Sequence, residues 1–135
     1  MPAIVGKFDE HVSFAVMHLA LSPCGKYVCA ATDASRNIIL RVGTSHIVKD
    51  LYGHRNDAFS QPRIAWSRDG KYVFGNSQED GIVVWDISGA NIVLRLDKKK
   101  GGHEGTVRDI FSSRAGDTLV SVSYDRTAKV WLNDV

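Results

Sequence analysis

An internal repeat constrains this chain more than any other feature of its sequence. Residues 21–28, LSPCGKYV, match residues 66–73, WSRDGKYV, and the shared serines are Ser22 and Ser67. A third serine, Ser112, follows at the same spacing. A sequence period of roughly 20–50 residues indicates that one supersecondary unit recurs and that neighbouring units bury a common core. The 135 residues therefore hold three copies of one unit.

Each unit is predicted to consist of short β-strands joined by tight turns. Within residues 102–132, β-branched and apolar residues alternate with polar ones, which is typical of half-buried strands. Gly116-Asp117 and residues 123–126 are turn sequences between three such runs. Comparable runs in the rest of the chain predict strands over residues 4–8, 15–21, 27–31, 37–42, 46–51, 63–66, 72–76, 82–86 and 91–96.

The third unit resembles the WD40 repeat, one blade of a β-propeller, because it opens on Gly102-His103 and closes on Trp131. The second unit opens on Gly53-His54 and contains the dipeptide Trp85-Asp86. The resemblance implies an all-β chain of three four-stranded antiparallel repeats. We expect an N-terminal strand in 1–11, a degenerate blade in 12–52, a blade in 53–101 and a blade without its outer strand in 102–135.

A hydrogen-bonded brace is predicted inside the third unit. Asp125 can accept from His103 and from backbone N–H groups, and Ser121 can link His103 to Trp131. WD40 blades use such a chain of side chains, and all four positions are filled here. A catalytic His103–Asp125 dyad is the alternative, and we favour the brace because the surrounding pattern predicts it.

The braces of the two earlier units are predicted to be incomplete. In the second unit His54 and Trp85 remain, but Gly75 stands where Ser121 stands and Glu79 replaces Asp125. In the first unit the opening Gly-His is missing, and Arg41 is expected at the position of the closing Trp.

The resemblance implies a non-catalytic scaffold that presents propeller loops to a protein or peptide partner. The residues expected on the binding loops are Asn56, Asp57, Arg63, Gln78, Glu104, Arg108 and Tyr124. Arg63 and Arg108 each precede an aligned serine by four residues, so together they are predicted to grip an acidic or phosphorylated peptide. Ion pairs of Arg63 with Asp57, and of Arg108 near Asp109, are the alternative.

Charge and composition exclude several classes of function. The net charge is +2 with both signs scattered, which disfavours nucleic acid and anionic membranes as main partners. No apolar run approaches the roughly 20 residues of a membrane helix. The alternative function is that Lys98–Lys100, with Arg95 and Arg63, bind nucleic acid or a phosphorylated ligand within a larger complex.

No enzyme motif is present in the sequence, so we expect no catalytic residues, no metal and no cofactor. His18 lies in the middle of a predicted strand and is expected to be a satisfied structural histidine rather than a ligand. Cys24 and Cys29 are predicted to be one exposed and one buried reduced thiol, as in a cytoplasmic or nuclear protein.

Three units fall short of a closed ring, because propellers have roughly four to eight blades. The end blades of a three-unit arc expose an apolar face and a strand edge. We therefore expect either a segment of a longer propeller or a homodimer. In the dimer, two copies close a six-bladed ring and each lends residues 4–8 to the last blade of the other.

Overall fold

The computed structural model describes residues 15–44, 46–56, 61–113 and 118–132. These residues form three antiparallel sheets that follow one another along the chain. The predicted N-terminal strand over residues 4–8 lies outside the described residues. The expected organisation of the chain as consecutive antiparallel β-sheets is confirmed.

The first two sheets have four strands each, and every strand pairs with the next one in sequence. The first sheet contains β1 (Val16–Leu21), β2 (Tyr27–Thr32), β3 (Asn37–Arg41) and β4 (Ile47–Leu51). The second contains β5 (Ile64–Trp66), β6 (Tyr72–Ser77), β7 (Gly81–Asp86) and β8 (Asn91–Leu96). All eight predicted strands of these two units are present within one residue at each end, because alternation and turn residues are local signals.

The third sheet has three described strands, β9 (Val107–Ser112), β10 (Thr118–Ser123) and β11 (Ala128–Leu132). A 3-10 turn, Lys98–Lys100, connects it to the second sheet. The Asp97 carboxylate caps this turn by accepting from the Lys99 N–H at 3.1 Å, and Gly101 ends it at φ 78°. The predicted basic loop is therefore a capped turn.

The core lies between the sheets rather than within one of them. One cluster joins the first and second sheets and includes Leu51, Trp66 and Trp85. A second cluster joins the second and third sheets and includes Ile82 and Leu119. The first strands β1, β5 and β9 lie side by side, so the three sheets stack as consecutive blades around one axis.

The faces at the two ends of this stack are exposed. Leu19 and Leu21 of β1 are 58% and 56% exposed, and Phe111 and Val130 of the third sheet are 67% and 62% exposed. The corresponding faces between sheets are buried, so exposure here follows from position at the end of the stack.

The strand register of the third unit differs from the sequence alignment by one residue. The N–H of Ser22 donates to Tyr27 O at 2.8 Å, and the N–H of Ser67 donates to Tyr72 O at 2.9 Å. In the third unit the matching bond, also 2.9 Å, comes from Ser113 and not from Ser112. The predicted equivalence of Arg63 and Arg108 is therefore wrong, since two adjacent serines allowed the misalignment.

The corrected register places Asp109 at the position of Arg63, and His18 occupies this position in the first unit. Arg63 reaches forward to Asp109 of the next blade, with 3.8 Å between Arg63 Nε and Asp109 Oδ1. His18 also reaches forward, because its Nδ1 accepts from the N–H of Ile64 at 3.2 Å. This row of side chains links consecutive blades.

Candidate functional site

The four predicted brace side chains of the third unit form one hydrogen-bonded chain. His103 Nε2 lies 2.8 Å from Ser121 Oγ, and the Trp131 indole N–H donates to the same oxygen at 3.0 Å. His103 Nδ1 lies 2.9 Å from Asp125 Oδ2. His103 is 4% exposed, so both of its ring nitrogens need these partners.

Thr127 is a member of this brace that sequence reasoning missed. Its hydroxyl donates to Asp125 Oδ1 at 2.6 Å and lies 3.0 Å from His103 Nδ1. The N–H of Glu104 donates to Asp125 Oδ2 at 2.9 Å. The hydrogen bond from Thr127, followed by that from His103 and the backbone amides, holds the pKa of Asp125 below its usual range. The sequence signal that could have identified Thr127 is its place two residues after Asp125, an aspartate in a turn.

The side chains of His103, Asp125 and Ser121 are the types found in a hydrolytic triad. Ser121 is 0% exposed, and its hydroxyl already binds the indole N–H of Trp131. A substrate cannot reach a nucleophile that is fully buried. This geometry supports a brace and not a catalytic site.

The second unit buries its His-Trp pair in a different way. The rings of His54 and Trp85 meet edge to face, with centroids 4.8 Å apart and an interplanar angle of 88°. The Trp85 indole N–H donates to the backbone oxygen of Tyr52 at 2.9 Å. Neither ring nitrogen of His54 has a hydrogen-bond partner within the described ranges. Burial, with a smaller contribution from the charge of Arg95, lowers the pKa of His54 to about 4.

Gly75 leaves space for the indole of Trp85. A Cβ atom on Gly75 would lie 2.7 Å from Cζ3 of that ring, so a serine does not fit here. Glu79, predicted to stand in for Asp125, accepts from Arg55 Nη1 at 2.7 Å on the surface. Within the described residues, the partial brace expected in this unit consists of the edge-to-face contact between the rings of His54 and Trp85.

In the first unit the position of the closing Trp is occupied by Leu40. Leu40 pairs with Val28 in the same register as Trp85 with Val73. The prediction that Arg41 takes this position is wrong by one residue.

Four of the seven predicted binding residues border one polar cleft of about 250 Å³ between the second and third sheets. They are Asn56, Gln78, Arg108 and Tyr124, and the remaining lining residues are Gln61, Asn76, Ser77, Thr106 and Val107. Asp57 lies outside the described residues. Glu104 lies on the nearby loop, where its Oε2 is 3.6 Å from Lys98 Nζ.

Arg108 and Tyr124 form the exposed wall of this cleft. The Arg108 guanidinium carbon lies 5.0 Å from the centre of the Tyr124 ring, a cation–π distance. Tyr124 is 64% exposed. Arg108 has no salt-bridge partner in the part of the chain that the structure describes, whereas Arg63 is compensated by Asp109. Arg63 does not line this cleft, so the two arginines do not form the predicted common grip.

Asn56 and Asn76 position the loops beneath this wall. Asn56 is 3% exposed and donates through Nδ2 to Asn76 O at 3.0 Å, so it does not present its side chain to solvent as expected. Asn76, which sequence reasoning missed, accepts from the Arg63 N–H at 2.8 Å and donates to Val107 O at 3.0 Å. The sequence signal that could have identified Asn76 is its polar side chain, because the corresponding position of β2 holds Ala31.

The basic residues of the alternative function do not form a free patch. Arg95 pairs with Asp80, Arg63 with Asp109 and Lys98 with Glu104. Lys99 and Lys100 are exposed on the capped turn. Acidic side chains therefore compensate three of the five charges.

The described ranges contain no group of three or more His, Cys, Asp or Glu side chains that is suited to hold a metal ion. No helix in them is long and apolar enough to cross a membrane. Cys24 is exposed and Cys29 is buried, and burial raises the pKa of the Cys29 thiol.

Comparison with known proteins identifies the class. The WD40 family model (WD domain, G-beta repeat) matches residues 3–40 and 95–131, together more than half of the chain. The chain belongs to the WD40 repeat family. The first of these matches includes residues 12–40 of the repeat that we expected to be degenerate.

Curated relatives are longer proteins. The chain is 26% identical over 127 residues to a chromatin assembly factor 1 subunit FAS2 homolog of Oryza sativa subsp. japonica, which covers 90% of the chain and 24% of that protein. It is 37% identical over 70 residues to the pre-mRNA-splicing factor cwf17 of Schizosaccharomyces pombe, which covers 50% of the chain and 19% of that protein. The chain thus spans about a quarter or less of these relatives.

Solved structures show the same fold at low identity. The crystal structure of the RRP9 WD40 repeats matches with a TM-score of 0.76 at 21% identity, covering 90% of this chain and 36% of that one. The structure of U3-55K matches with a TM-score of 0.75 at 21% identity, covering 90% and 37%. These likenesses support the propeller-blade architecture.

Proposed function

We propose that this chain is a non-catalytic interaction module that binds a protein or peptide partner in the polar cleft between its second and third blades. The observation that carries the proposal is the exposed pair of Arg108 and Tyr124 on the wall of that cleft. Arginine and tyrosine are among the side chains that are enriched as interface anchors. WD40 proteins are typically scaffolds, which agrees with this assignment.

The chemistry of the cleft favours an acidic or phosphorylated side chain as the bound group. Arg108 offers a guanidinium that Tyr124 orients and that lacks a salt-bridge partner in the described ranges. Gln78 and Thr106 add neutral polar groups around it. A stacked arginine retains its planar fork of donors for one carboxylate or phosphate.

The test is partner capture with matched variants. Crosslinking from a photoreactive amino acid at Gln78 should capture a partner, and Arg108→Ala or Tyr124→Ala should abolish the capture. Tyr52→Ala is the control, because Tyr52 is also an exposed tyrosine beside an arginine, with Arg36 at 5.9 Å, but it lies outside the cleft. Equal loss in the control would overturn the assignment of the cleft.

Nucleic-acid binding through Lys98–Lys100 is the alternative that the same experiment separates. A phosphate-dominated contact weakens steeply as salt rises, with a slope set by the number of phosphates neutralised. Capture that survives about 0.5 M salt and Lys99→Ala–Lys100→Ala substitution would exclude it. A nuclear or cytoplasmic location remains part of the proposal, and the named chromatin-assembly and splicing relatives favour the nucleus.

Whether the blades of this chain complete a ring with a second copy stays a prediction. A two-fold ring requires a dimer in solution, and light scattering on the full chain distinguishes a dimer from a monomer. A monomer would remove the dimer and leave the cleft proposal unchanged.

A further inference from the structure

The two ends of the stack are formed by different turns. The polar cleft is bordered by the turns between second and third strands and by the connections between sheets. Because consecutive strands run antiparallel, the first-to-second and third-to-fourth turns lie at the other end. In the first two sheets these are residues 22–26, 42–44, 67–71 and 87–90, which we call the distal end. A strand of six residues spans roughly 20 Å, so a ligand at the distal end does not reach the cleft.

Each of the first two sheets holds a lysine at the same place of the distal end. Lys26 and Lys71 each follow a glycine in the left-handed region, at φ 75° and 74°. The backbone oxygen of Lys26 accepts from the Val42 N–H at 2.9 Å, and that of Lys71 accepts from the Ile87 N–H at 3.0 Å. The backbone of each lysine is thus fixed between two turns, while its side chain is exposed.

Contacts between the sheets join these turns into one surface. Lys49 of β4 reaches across to the second sheet, where its Nζ donates to Ser88 O at 3.2 Å. The turns 22–26 and 67–71 also meet, because a Cβ atom on Gly70 would lie 3.8 Å from Pro23 Cδ. The cations of both sheets therefore stand on one continuous face.

Arg41 and Arg68 add to the positive charge beside the two lysines. Arg41 pairs with Tyr27, the residue after Lys26, and Arg68 lies three residues before Lys71. All four basic side chains are exposed, and none has a salt-bridge partner within the described ranges. The distal end thus carries cations that the fold itself does not neutralise.

The arginines at the cleft end of the same two sheets are compensated by carboxylates. Among the described residues in and between these sheets, the pairs are Arg36 with Asp50, Arg55 with Glu79, Arg63 with Asp109 and Arg95 with Asp80. The first two sheets therefore have paired arginines at one end and unpaired cations at the other.

The carboxylates described at the distal end are held by their own turns. Asp69 Oδ1 accepts from the Ser67 hydroxyl at 2.7 Å and from the Lys71 N–H at 3.0 Å. Asp86 Oδ1 accepts from the Ser88 N–H at 3.0 Å. The described cations of this end outnumber these two carboxylates, a local excess that the net charge of the whole chain, +2, does not reveal.

The composition of the distal end favours phosphates over an acidic protein segment as the ligand. Its described turns contain lysine, arginine, serine, threonine and glycine but no aromatic side chain. Protein interfaces are enriched in aromatic residues and depleted in lysine. Contacts to nucleic-acid phosphates come from lysine and arginine, from small hydroxyl side chains and from backbone N–H groups.

We propose that the distal end binds the phosphate backbone of a nucleic acid through Lys26, Lys71, Arg41 and Arg68. Such binding is independent of base sequence and weakens as salt rises, because phosphates release counterions when cations bind them. It uses the end of the stack opposite the Lys98–Lys100 turn and leaves the cleft open to a protein partner. The chain would then hold a nucleic acid on one end and a protein on the other.

The test measures the fluorescence anisotropy of two labelled oligonucleotides with the full chain, from about 0.05 to 0.3 M salt. The probes are oligouridylate and oligodeoxyuridylate of equal length, which differ only in the 2′-hydroxyl. We expect dissociation constants of roughly 1–100 μM, the range of non-specific binding. Tighter binding of the first probe would identify RNA as the source of the phosphates, tighter binding of the second would identify DNA, and equal binding would assign the phosphates alone.

Matched variants locate the binding surface. Lys26→Gln–Lys71→Gln should weaken binding roughly tenfold or more and lower the slope of log K against log salt by about 1.4, since each phosphate neutralised on a single strand contributes about 0.7. Lys99→Gln–Lys100→Gln removes the same charge at the cleft end and should keep both the affinity and the slope. Circular dichroism and the melting temperature check that each variant folds.

Three outcomes overturn the proposal. The first is that neither oligonucleotide binds. The second is a loss in Lys99→Gln–Lys100→Gln as large as that in Lys26→Gln–Lys71→Gln. The third is equal or tighter binding of a labelled oligoglutamate peptide of the same charge, which would assign the distal end to an acidic protein segment. Capture of a protein partner from Gln78 should be unchanged in Lys26→Gln–Lys71→Gln, so a failure of this proposal is distinguishable from a failure of the cleft.

Discussion

Trp85 in the second repeat is fully buried and donates its indole N–H to a backbone oxygen, whereas Trp131 in the third repeat is half-buried and donates to Ser121. The histidine that opens each repeat shows the same contrast between apolar packing and polar contacts. His54 packs edge-on against the Trp85 ring, and His103 binds three polar side chains. One sequence signature is thus stabilised by packing in one blade and by a polar network in the next.

Both tryptophans face the preceding blade, because Trp85 lies in the core between the first and second sheets and Trp131 packs against the core between the second and third. Ile92 of the fourth strand pairs with Trp85 and packs against the same core. The third sheet has three described strands, so no described fourth strand covers Trp131, and hydrogen bonds contribute more there. Four predictions test this comparison.

The largest effect is expected from Trp85→Ala. Removing a fully buried indole costs roughly 3–5 kcal/mol of unfolding free energy through lost transfer energy and a cavity. Trp131→Ala should cost less, because part of that ring is already exposed. Urea unfolding of both variants shows which of them loses more unfolding free energy. An equal loss would mean that packing dominates in both blades.

The pH dependence of stability should separate the two histidines. Because burial depresses the pKa of His54 from about 6.5 to about 4, the folded state disfavours its protonated form. Its contribution to stability is present above pH 6.5 and is lost as the pH falls towards 4, by about 2–3 kcal/mol.

His54→Phe should remove this acid loss while keeping the ring contact with Trp85. His103→Phe should destabilise at all pH values, because Ser121 and Asp125 lose their partner. The unfolding free energies of both variants, measured at pH 7 and pH 5, check these two expectations. His46→Gln, which changes an exposed histidine, is the control and should leave the change in unfolding free energy between pH 7 and pH 5 as it is in the wild type. If His54→Phe also left this change unaltered, the account of His54 as a buried, packed ring would be contradicted.

Gly75→Ser tests whether the second repeat can adopt the brace of the third. We expect a loss of about 1–3 kcal/mol, because the new Cβ overlaps the indole of Trp85. The reverse change, Ser121→Gly, should also destabilise by removing the link between His103 and Trp131. A gain in melting temperature for Gly75→Ser would show that the two units are interchangeable.

The smallest expected effect is the acid response of Asp125. Its pKa is depressed, so its contribution to stability is present above pH 4 and is lost as the pH falls through the folded-state pKa. The difference in melting temperature between the wild type and Asp125→Asn should therefore narrow from pH 7 to pH 2.5. Glu104→Gln, on the same loop, is the control, and a constant difference would indicate a purely steric effect.

Much of the fold could be predicted from sequence because its signals are local. Alternation and turn residues place the ends of the strands in the first two units within one residue. The hydrogen-bonded pair of His103 and Asp125 follows from the repeat pattern. The alignment of the third unit could not be predicted, because Ser112 and Ser113 satisfy the pattern equally. The hydrogen bond from the Ser113 N–H to Thr118 O and the pairing of Ser112 with Leu119 distinguish them.

The candidate site was predictable in part. Arg108 and Tyr124 lie where loop order predicts, but the compensation of Arg63 by Asp109 depends on the distance between two blades. Asn76 was missed because its partners, Arg63 and Val107, lie 13 and 31 residues away. Sequence patterns carry little information about such pairs.

The sequence by itself determined the three repeats, the alternation of each strand and the residues able to form a brace, because backbone geometry and side-chain direction are local properties. Within the described residues, the tertiary structure decided how far each tryptophan is enclosed, which arginine lacks a counter-charge and which strand edges are paired. These outcomes depend on how neighbouring blades stack, and blade stacking brings together groups that are distant in the chain.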